Sequence, residues 1–164
     1  LLEYIDRRYI WGLPCTGNFY ETDIRAYEQE LTKLRSALLE RGFSHVHSYN
    51  IGTTILQKNF ARQRFISDST FVFVDHRDKE HFPDVKVLDS GMFACIYLDC
   101  YDDEIPCAQR LLAHCREQGW HVCGDYICEV LTEFNVFDGD QCSMFLRLQA
   151  PVKFQNEPTQ PDLA

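Results

Sequence analysis

Two helical segments of this sequence end in closely similar motifs, and this repetition restricts the possible folds more than any other feature. The first segment ends with 40–43 (ERGF) and the second with 117–120 (EQGW). A glycine followed by an apolar residue is a common C-terminal signal of a helix, because glycine adopts the left-handed conformation without strain. Since a strand precedes each helix and two strands follow it, the order of elements predicts two similar strand-helix-strand-strand halves.

The first half is anchored by its helix. Five apolar residues at intervals of 3, 4, 3 and 4 form a single stripe, namely Ile24, Tyr27, Leu31, Leu34 and Leu38. This spacing is typical of an amphipathic helix. Thr22 or Asp23 can cap its start, and Gly42 follows its end. Strands are predicted for 7–13, 48–56 and 70–75, where strand formers lie between turn signals.

The second half repeats this order. Segments 86–89 and 92–98 predict a hairpin about Ser90-Gly91, followed by a helix with Pro106 in its first turn. A strand containing Glu129, a turn at 138–140 and a last strand near 143–152 follow. The fold class is therefore α+β with an antiparallel sheet, and one domain is expected over 1–154. The polar, proline-containing tail 155–164 is predicted to be disordered.

Composition excludes some functions. With 16 Lys and Arg against 25 Asp and Glu, the net charge is -9, so no basic face for direct nucleic-acid binding is expected. The acidic field favours cationic partners, or serves solubility alone. The eight cysteines form no CxxC pair, and no secretion signal or apolar run of membrane-spanning length is found. We expect free thiols, a cytoplasmic location and no membrane association.

No motif for a cofactor or a metal is convincing. The sequence contains no GxGxxG, GxxxxGK[ST] or GxSxG motif. The pairs His45/His47 and His121/Cys123 could supply zinc ligands, but a two-residue spacing on a strand often arises by chance. The acidic cluster 99–104 precedes a helix, where negative charge favours the helix dipole. No cofactor and no metal are therefore predicted.

One carboxylate stands out in the segment 124–134 (GDYICEVLTEF). Side-chain alternation along a strand places Ile127, Glu129 and Leu131 on one face, so Glu129 has apolar neighbours on its own side. Dehydrating an ionised carboxylate is costly unless hydrogen bonds or a counter-charge compensate. From the residues alone, Glu129 is either an edge-strand or surface residue paired with a nearby Lys or Arg, or part of a binding site.

The stretch 124–131 (GDYICEVL), preceded by 91–120 (GMFACIYLDCYDDEIPCAQRLLAHCREQGW), resembles the GyrI-like effector-binding domain of MerR-type and AraC-type transcription regulators. The resemblance covers roughly 2–154. It implies two strand-helix-strand-strand halves related by a pseudo-two-fold axis, with a ligand cleft between them. In multidrug-sensing members, a strand glutamate matching Glu129 lies at the pocket floor and meets lipophilic cations.

The resemblance thus implies a small-molecule effector-binding domain rather than an enzyme. Aromatic rings and one carboxylate can bind a poorly hydrated organic cation without a tailored set of hydrogen bonds. The candidate ligand-binding residues are Glu129, Trp11, Phe19, Tyr20, Tyr49, Phe93, Tyr97, Leu131 and Phe145. DNA would be reached through an attached domain outside this sequence, and a homodimer of the full-length protein stays open.

Two alternative functions remain. A buried carboxylate beside Tyr97 could act as a general base in a small-molecule hydrolase, although no second acid or nucleophile is placed in the same cleft. Gyrase-inhibitor members of the superfamily act on a protein partner, so an acidic protein-interaction module is the other alternative.

Overall fold

The computed structural model describes residues 1–22, 24–43, 49–82, 84–133 and 144–154. The strands are β1 (Leu2–Ile5), β2 (Arg8–Pro14), β3 (Ile51–Ile55), β4 (Ser69–Val74), β5 (Lys86–Leu88), β6 (Gly91–Leu98), β7 (Trp120–Val122), β8 (Tyr126–Glu133) and β9 (Met144–Phe154). The α-helices are α1 (Ile24–Glu40), α2 (Gln57–Phe60) and α3 (Glu104–Gln118). Short 3-10 helices cover Phe19–Glu21, His76–His81 and Tyr101–Asp103.

The strands form one antiparallel sheet with the order β1-β6-β9-β8-β3-β4-β2-β5, and β7 pairs with β9. The first half consists of β2, α1, β3 and β4, which lie in the order β2-β4-β3, and the second consists of β6, α3, β8 and β9, in the order β6-β9-β8. The halves meet where β3 pairs with β8. The predicted α+β fold with two similar strand-helix-strand-strand halves is confirmed.

Two short connectors cross between opposite edges of the sheet. The predicted hairpin of β5 and β6 is wrong, because β5 pairs with β2 whereas β6 pairs with β1 and β9. The chain passes from Leu88 to Gly91, and likewise from Ile5 to Arg8, in three residue steps, which span at most about 11 Å. Such short links require the sheet to curl until its two ends approach each other.

Both long helices cover the same face of the sheet, which we call the outer face. Tyr27, Leu31, Leu34 and Leu38 of α1 pack with Trp11, Ile51 and Val72. Ala108, Leu111, Leu112 and Cys115 of α3 pack with Tyr126, Leu146, Leu148 and Ala150. Side chains that alternate with these residues point to the opposite face, which we call the inner face.

The two predicted helix ends are confirmed. Gly42 has a φ of 90° and Gly119 a φ of 72°, so both adopt the left-handed conformation. After α1, the amide of Phe43 donates to the carbonyl of Leu38 at 3.1 Å, which completes the glycine-dependent capping motif.

Cysteine chemistry differs in part from the prediction. Cys15, Cys95, Cys107, Cys115, Cys123 and Cys128 are free thiols. Cys100 is disulfide-bonded, so the expectation of free thiols is wrong at this position. Among the described residues, the helices are too short or too polar for any of them to cross a membrane.

Several predictions fall on residues outside the described ranges. They concern the cap Asp23, the pair His45/His47, the turn at 138–140 and the tail 155–164.

Candidate functional site

Strand β8 places Glu129 on the inner face of the sheet. Tyr126, Cys128 and Val130 point to the outer face and pack under α3. The alternating residue Ile127 instead packs on the inner face with residues of β2 and β4. Glu129 lies on this same face with only 5% of its surface exposed, directly opposite Arg147 of β9. The sequence left open whether Glu129 is buried or at the surface. Its position in the sheet makes it buried.

The polar contacts of Glu129 are made by a single carboxylate oxygen, Oε2. Arg147 donates to Oε2 through Nη2 at 2.6 Å and Nε at 3.2 Å, and Gln149 donates through Nε2 at 3.0 Å. The Nη1 atom of Arg8 lies 3.6 Å from the same oxygen. These contacts compensate for the dehydration of the carboxylate. Burial opposes the charge of Arg147, yet the hydrogen bond and charge of Glu129 outweigh it and raise the pKa of Arg147.

A second carboxylate extends this group of charges. Nη1 of Arg147 lies 3.6 Å from Oε2 of Glu3. The hydroxyl of Tyr97 donates to the two oxygens of Glu3, at 2.7 and 2.9 Å. Burial, and then the hydrogen bond to Glu3, raise the pKa of Tyr97. The inner face therefore carries an alternating series of charges, Arg8, Glu129, Arg147 and Glu3, which together sum to zero.

The guanidinium of Arg8 lies between two aromatic rings. Its carbon is 5.3 Å from the ring centroid of Phe73 and 5.2 Å from that of Phe93, within cation-π range. The nitrogens Nε, Nη1 and Nη2 are buried and have no hydrogen-bond partner. Desolvation by burial lowers the pKa of Arg8, against the raising effect of Glu129. Arg8 thus keeps its charge next to rings and one carboxylate, without hydrogen bonds.

Two neighbouring cavities occupy the inner face, and we call them together the cleft. The smaller, of about 610 Å³, is lined by Asp6, Arg7, Arg8, Tyr9, Phe73, Val74, His76, Ser90 and Glu129. The larger, of about 1020 Å³, has a floor that includes Ile10, Phe71, Phe93 and Ile127. Ser90 borders both cavities. The larger cavity is of the size that holds a drug-sized ligand.

The charged residues around the larger cavity are predominantly acidic. The carboxylates are those of Asp68, Asp84, Asp89 and Asp125, and the ammonium groups are those of Lys86 and Lys153. Asp84 is itself paired with Arg41, whose Nη1 and Nη2 donate at 2.7 and 3.0 Å. Even without Asp84, three carboxylates face two ammonium groups. The rim therefore favours a cationic or neutral guest over an anion.

The structure brings only some of the predicted ligand-binding residues to the cleft. Glu129 lines the smaller cavity and Phe93 the larger one. Trp11 borders the larger cavity, but its ring packs against Phe82 and under the guanidinium of Arg41. Tyr97 shares the inner face and bonds Glu3 outside both cavities.

The other predicted residues lie elsewhere. The core beneath the helices, on the outer face, contains Phe19, Tyr20 and Tyr49. Phe145 is 37% exposed and stacks on Tyr97 at a centroid distance of 6.0 Å. Leu131 is half-buried at a register shift of β8, where strand alternation is broken.

Sequence reasoning missed the residues that surround Glu129. Arg8, Phe73 and Arg147 were not among the candidates. Arg147 and Gln149 alternate along β9, which is a signal that they share a face, but nothing local shows which strand lies beside them. Arg8 reaches the site only because the sheet curls.

A second buried carboxylate lies outside the cleft. Glu104, at the start of α3, is 4% exposed and accepts hydrogen bonds from Tyr20 at 2.7 Å and Tyr126 at 3.0 Å. Burial raises its pKa, although the two tyrosine hydroxyls oppose the shift. Favourable interaction with the helix dipole, predicted for the whole cluster 99–104, is therefore an incomplete account of Glu104. Within the described part of the chain, no three His, Cys, Asp or Glu residues are grouped to hold a metal ion.

The sequence matches no protein-family model and no curated protein. Solved structures are similar at low identity. The EcmrR C-terminal domain has a TM-score of 0.68 at 12% identity, covering 94% of this chain and 96% of that one. EcmrR in its cryo-EM complex with DNA has a TM-score of 0.65 at 13% identity, and the match covers 94% of this chain but 57% of that one.

A hydrolase from Listeria innocua has a TM-score of 0.51 at 9% identity, covering 93% of this chain and 91% of that one. Identities this low establish a common fold and nothing finer. The matches nevertheless agree with the architecture read from the strands and helices. The chain has the GyrI-like fold that its resemblance to effector-binding domains predicted.

Proposed function

We propose that this chain is a ligand-sensing domain that binds a hydrophobic organic cation in the cleft. The observation that carries the proposal is the larger cavity of about 1020 Å³, whose apolar floor adjoins the buried carboxylate of Glu129. The apolar surface there is formed by Phe71, Phe93 and Ile127, and the acidic rim attracts positive charge. The similarity to the C-terminal domain of EcmrR supports the assignment to a regulator through the fold.

The energetics suit a cation whose charge is delocalised. Such a cation loses little hydration on entering a pocket, and aromatic rings then attract it by about 0.5–2 kcal/mol each. A carboxylate about 4 Å away adds roughly 4 kcal/mol at an effective dielectric of 20, before dehydration is subtracted. Together with apolar burial, these contributions are enough for the total of about 8 kcal/mol that a micromolar affinity requires.

Ligand binding can be converted into a signal because the cleft is formed by both halves. Ile10 and Phe71 belong to the first half, whereas Phe93 and Ile127 belong to the second. A guest that touches both halves stabilises one relative arrangement over others, which is the requirement for transmitting occupancy to an attached domain. We propose a DNA-binding domain as that attachment and the cytoplasm as the location.

The test compares two ions of the same shape and opposite charge. Tetraphenylphosphonium and tetraphenylborate are titrated into the protein by isothermal calorimetry. We expect the cation to bind at least tenfold more tightly than the anion, because of the acidic rim. Equal affinities, or tighter binding of tetraphenylborate, would refute a cation site.

Two tryptophan variants locate the binding. Ser90 is exposed and borders both cavities, so Ser90→Trp should fill the entrance and abolish binding without disturbing the core. Glu28→Trp on the exposed side of α1 is the matched control and should bind like the parent. Binding that survives in Ser90→Trp would place the guest somewhere other than the cleft.

We further propose that the chain has no catalytic activity in the cleft. One oxygen of Glu129 already accepts three hydrogen bonds, and the hydroxyl of Tyr97 donates a hydrogen bond to Glu3. The raised pKa of Tyr97 disfavours its phenolate, so neither group is available as a strong base. A hydrolysis product detected by mass spectrometry after incubation with ester substrates, and lost in Ser90→Trp, would overturn this proposal.

A further inference from the structure

Arg8 links the two halves through the cleft. Its guanidinium lies between Phe73, which belongs to β4 of the first half, and Phe93, which belongs to β6 of the second. Both ring centroids are just over 5 Å from the guanidinium carbon, at 5.3 and 5.2 Å. The side chain is 15% exposed, and its nearest anion is Glu129, at 3.6 Å. Arg8 therefore fills a space with two aromatic walls and a carboxylate at its side.

The surroundings of Arg8 are unusual for an arginine. A guanidinium has five N–H donors in a planar fork, and buried arginines normally direct them at acceptors. Here none of the three nitrogens has a hydrogen-bond partner. The interactions that remain are cation-π attraction and the charge of Glu129, which are the interactions that hold an organic cation without hydrogen-bond donors.

The position of Arg8 also divides the cleft. Arg8, Phe73 and Glu129 line the smaller cavity, while the larger one is lined by Phe93 together with Ile10 and Ile127. Ile10 and Ile127 lie two residues along the same strands from Arg8 and Glu129, so the cavities are neighbours on the inner face. Withdrawal of the guanidinium would join them and uncover both rings.

Charge balance also indicates that a cation can replace the guanidinium of Arg8. Two carboxylates, Glu3 and Glu129, face two guanidiniums, Arg8 and Arg147, within contacts of 3.6 Å or less. If Arg8 leaves, the two carboxylates face Arg147 alone, and one negative charge is uncompensated. A single monovalent cation restores neutrality, whereas a neutral guest leaves a buried charge unpaired.

We propose that Arg8 occupies the cation subsite of the unliganded cleft and that a cationic ligand binds by displacing its guanidinium. This inference rests on the proposed function and identifies Arg8 as the residue that sets charge selectivity and affinity. Asp6, exposed and two residues away along the β1–β2 connector, is a carboxylate within reach of the displaced side chain. The apparent affinity is the intrinsic affinity multiplied by the fraction of molecules in which the subsite is vacant.

The first test removes the guanidinium while keeping an apolar side chain of similar length. If Arg8 vacates the subsite in about one molecule in ten, Arg8→Met should bind tetraphenylphosphonium about tenfold more tightly than the parent. It should not gain affinity for tetraphenylborate. Arg110→Met, which removes the same charge from the exposed side of α3, is the matched control and should change neither affinity by more than about twofold.

The second test observes Arg8 directly in the parent protein, and the conservative variant Arg8→Lys serves only to assign its signal. In an arginine-selective ¹H–¹⁵N NMR spectrum, the buried Nε–H of Arg8 should give a signal distinct from those of exposed arginines, assigned by its absence in Arg8→Lys. Saturation with tetraphenylphosphonium should move this signal to the region of solvent-exposed arginines. Saturation with tetraphenylborate should not.

The outcomes separate this inference from the proposed function. If the parent binds tetraphenylphosphonium in a manner that Ser90→Trp abolishes, but Arg8→Met binds it no more tightly and the Arg8 signal stays in place, displacement is refuted and the cation site stands. If neither the parent nor Arg8→Met binds the cation, both proposals are refuted.

Discussion

Replacement of Gly52 by alanine should push the ring of Phe71 out of its place on the cleft floor. Gly52 of β3 and Gly12 of β2 flank Phe71 of β4 in register, one on each side. A Cβ added at Gly52 would lie 2.5 Å from both Cε2 and Cζ of Phe71, and 3.2 Å from Cε2 of Phe73. Because ordinary contact needs about 3.4 Å or more, the ring must move by roughly 1 Å.

The expected loss of stability is moderate at Gly52 and large at Gly12. Overpacking costs about 1–3 kcal/mol, and the lower backbone entropy of unfolded alanine returns about 0.4–1 kcal/mol, so Gly52→Ala should lose about 1–2 kcal/mol. At Gly12, the added Cβ would lie 2.2 Å from the carbonyl oxygen of Thr70 and 2.6 Å from Cα of Phe71. No side-chain rotation relieves these backbone contacts, so Gly12→Ala should lose more than about 3 kcal/mol.

A shorter side chain at position 71 should separate the two effects. Leucine lacks the Cε2 and Cζ atoms that Cβ of an alanine at 52 would meet, but it keeps the Cβ that lies 2.4 Å from the corresponding atom at 12. In the Phe71→Leu background, Gly52→Ala should therefore become nearly neutral, whereas Gly12→Ala should remain strongly destabilising. The coupling between 52 and 71 should be about 1–2 kcal/mol.

Urea denaturation followed by circular dichroism measures each free energy of unfolding, and for a chain of this size 1 kcal/mol corresponds to about 2–4 °C in Tm. Gly17→Ala is the control, because an added Cβ there meets nothing within 4 Å. If Gly12→Ala melts within about 2 °C of Gly17→Ala, or if Phe71→Leu fails to rescue Gly52→Ala, the packing described for the cleft floor is incorrect.

Three further predictions concern the buried polar groups. Arg147→Met removes the closest counter-charge of Glu129 and should lower the free energy of unfolding by about 3 kcal/mol, as measured by urea denaturation. A loss below about 1 kcal/mol would show that the pair is not buried as described. Glu104 has a pKa raised by burial, so the folded state holds its proton to higher pH than the unfolded chain does, and this carboxyl should cost stability as pH rises above about 4.5. Glu104→Gln should therefore gain stability relative to the parent across that rise, in denaturation series at pH 4 to 8, and an unchanged difference would contradict the assignment. Burial raises the pKa of Cys95 to about 12, so iodoacetamide at pH 8 should label exposed Cys123 far faster than Cys95, as peptide mass spectrometry would show.

Local patterns accounted for both long helices and most strands, but not for β1, α2 and β7, nor for all of the strand pairings. The stripe from Tyr27 to Leu38 and the glycines at 42 and 119 act through neighbours on the same helix, so spacing along the chain was sufficient to find them. The Ser90-Gly91 segment carried a hairpin signal of the same local kind. It failed because β5 and β6 find their partners in other strands, and burial of apolar surface across the whole sheet outweighs a turn preference.

The predicted aromatic ligand-binding residues show the same limit of local sequence patterns. Phe93 was predicted and lies in the larger cavity, while Phe19, Tyr20 and Tyr49 pack beneath the helices on the outer face. Phe93 lies within β6, where side-chain alternation sets its face, whereas Phe19, Tyr20 and Tyr49 lie outside the strands. The sequence contains no information that separates an inner from an outer position outside a strand. Only tertiary packing decides it.

By itself, the sequence determined that Glu129 shares a strand face with apolar neighbours, because side-chain alternation is a property of the extended backbone. What surrounds that carboxylate was decided by tertiary structure. Arg147 faces it through the register of β8 and β9, and Arg8 arrives from β2 because short connectors make the sheet curl. Charge pairing of residues so distant in sequence depends on where the folded backbone places them, and no spacing within the chain encodes it.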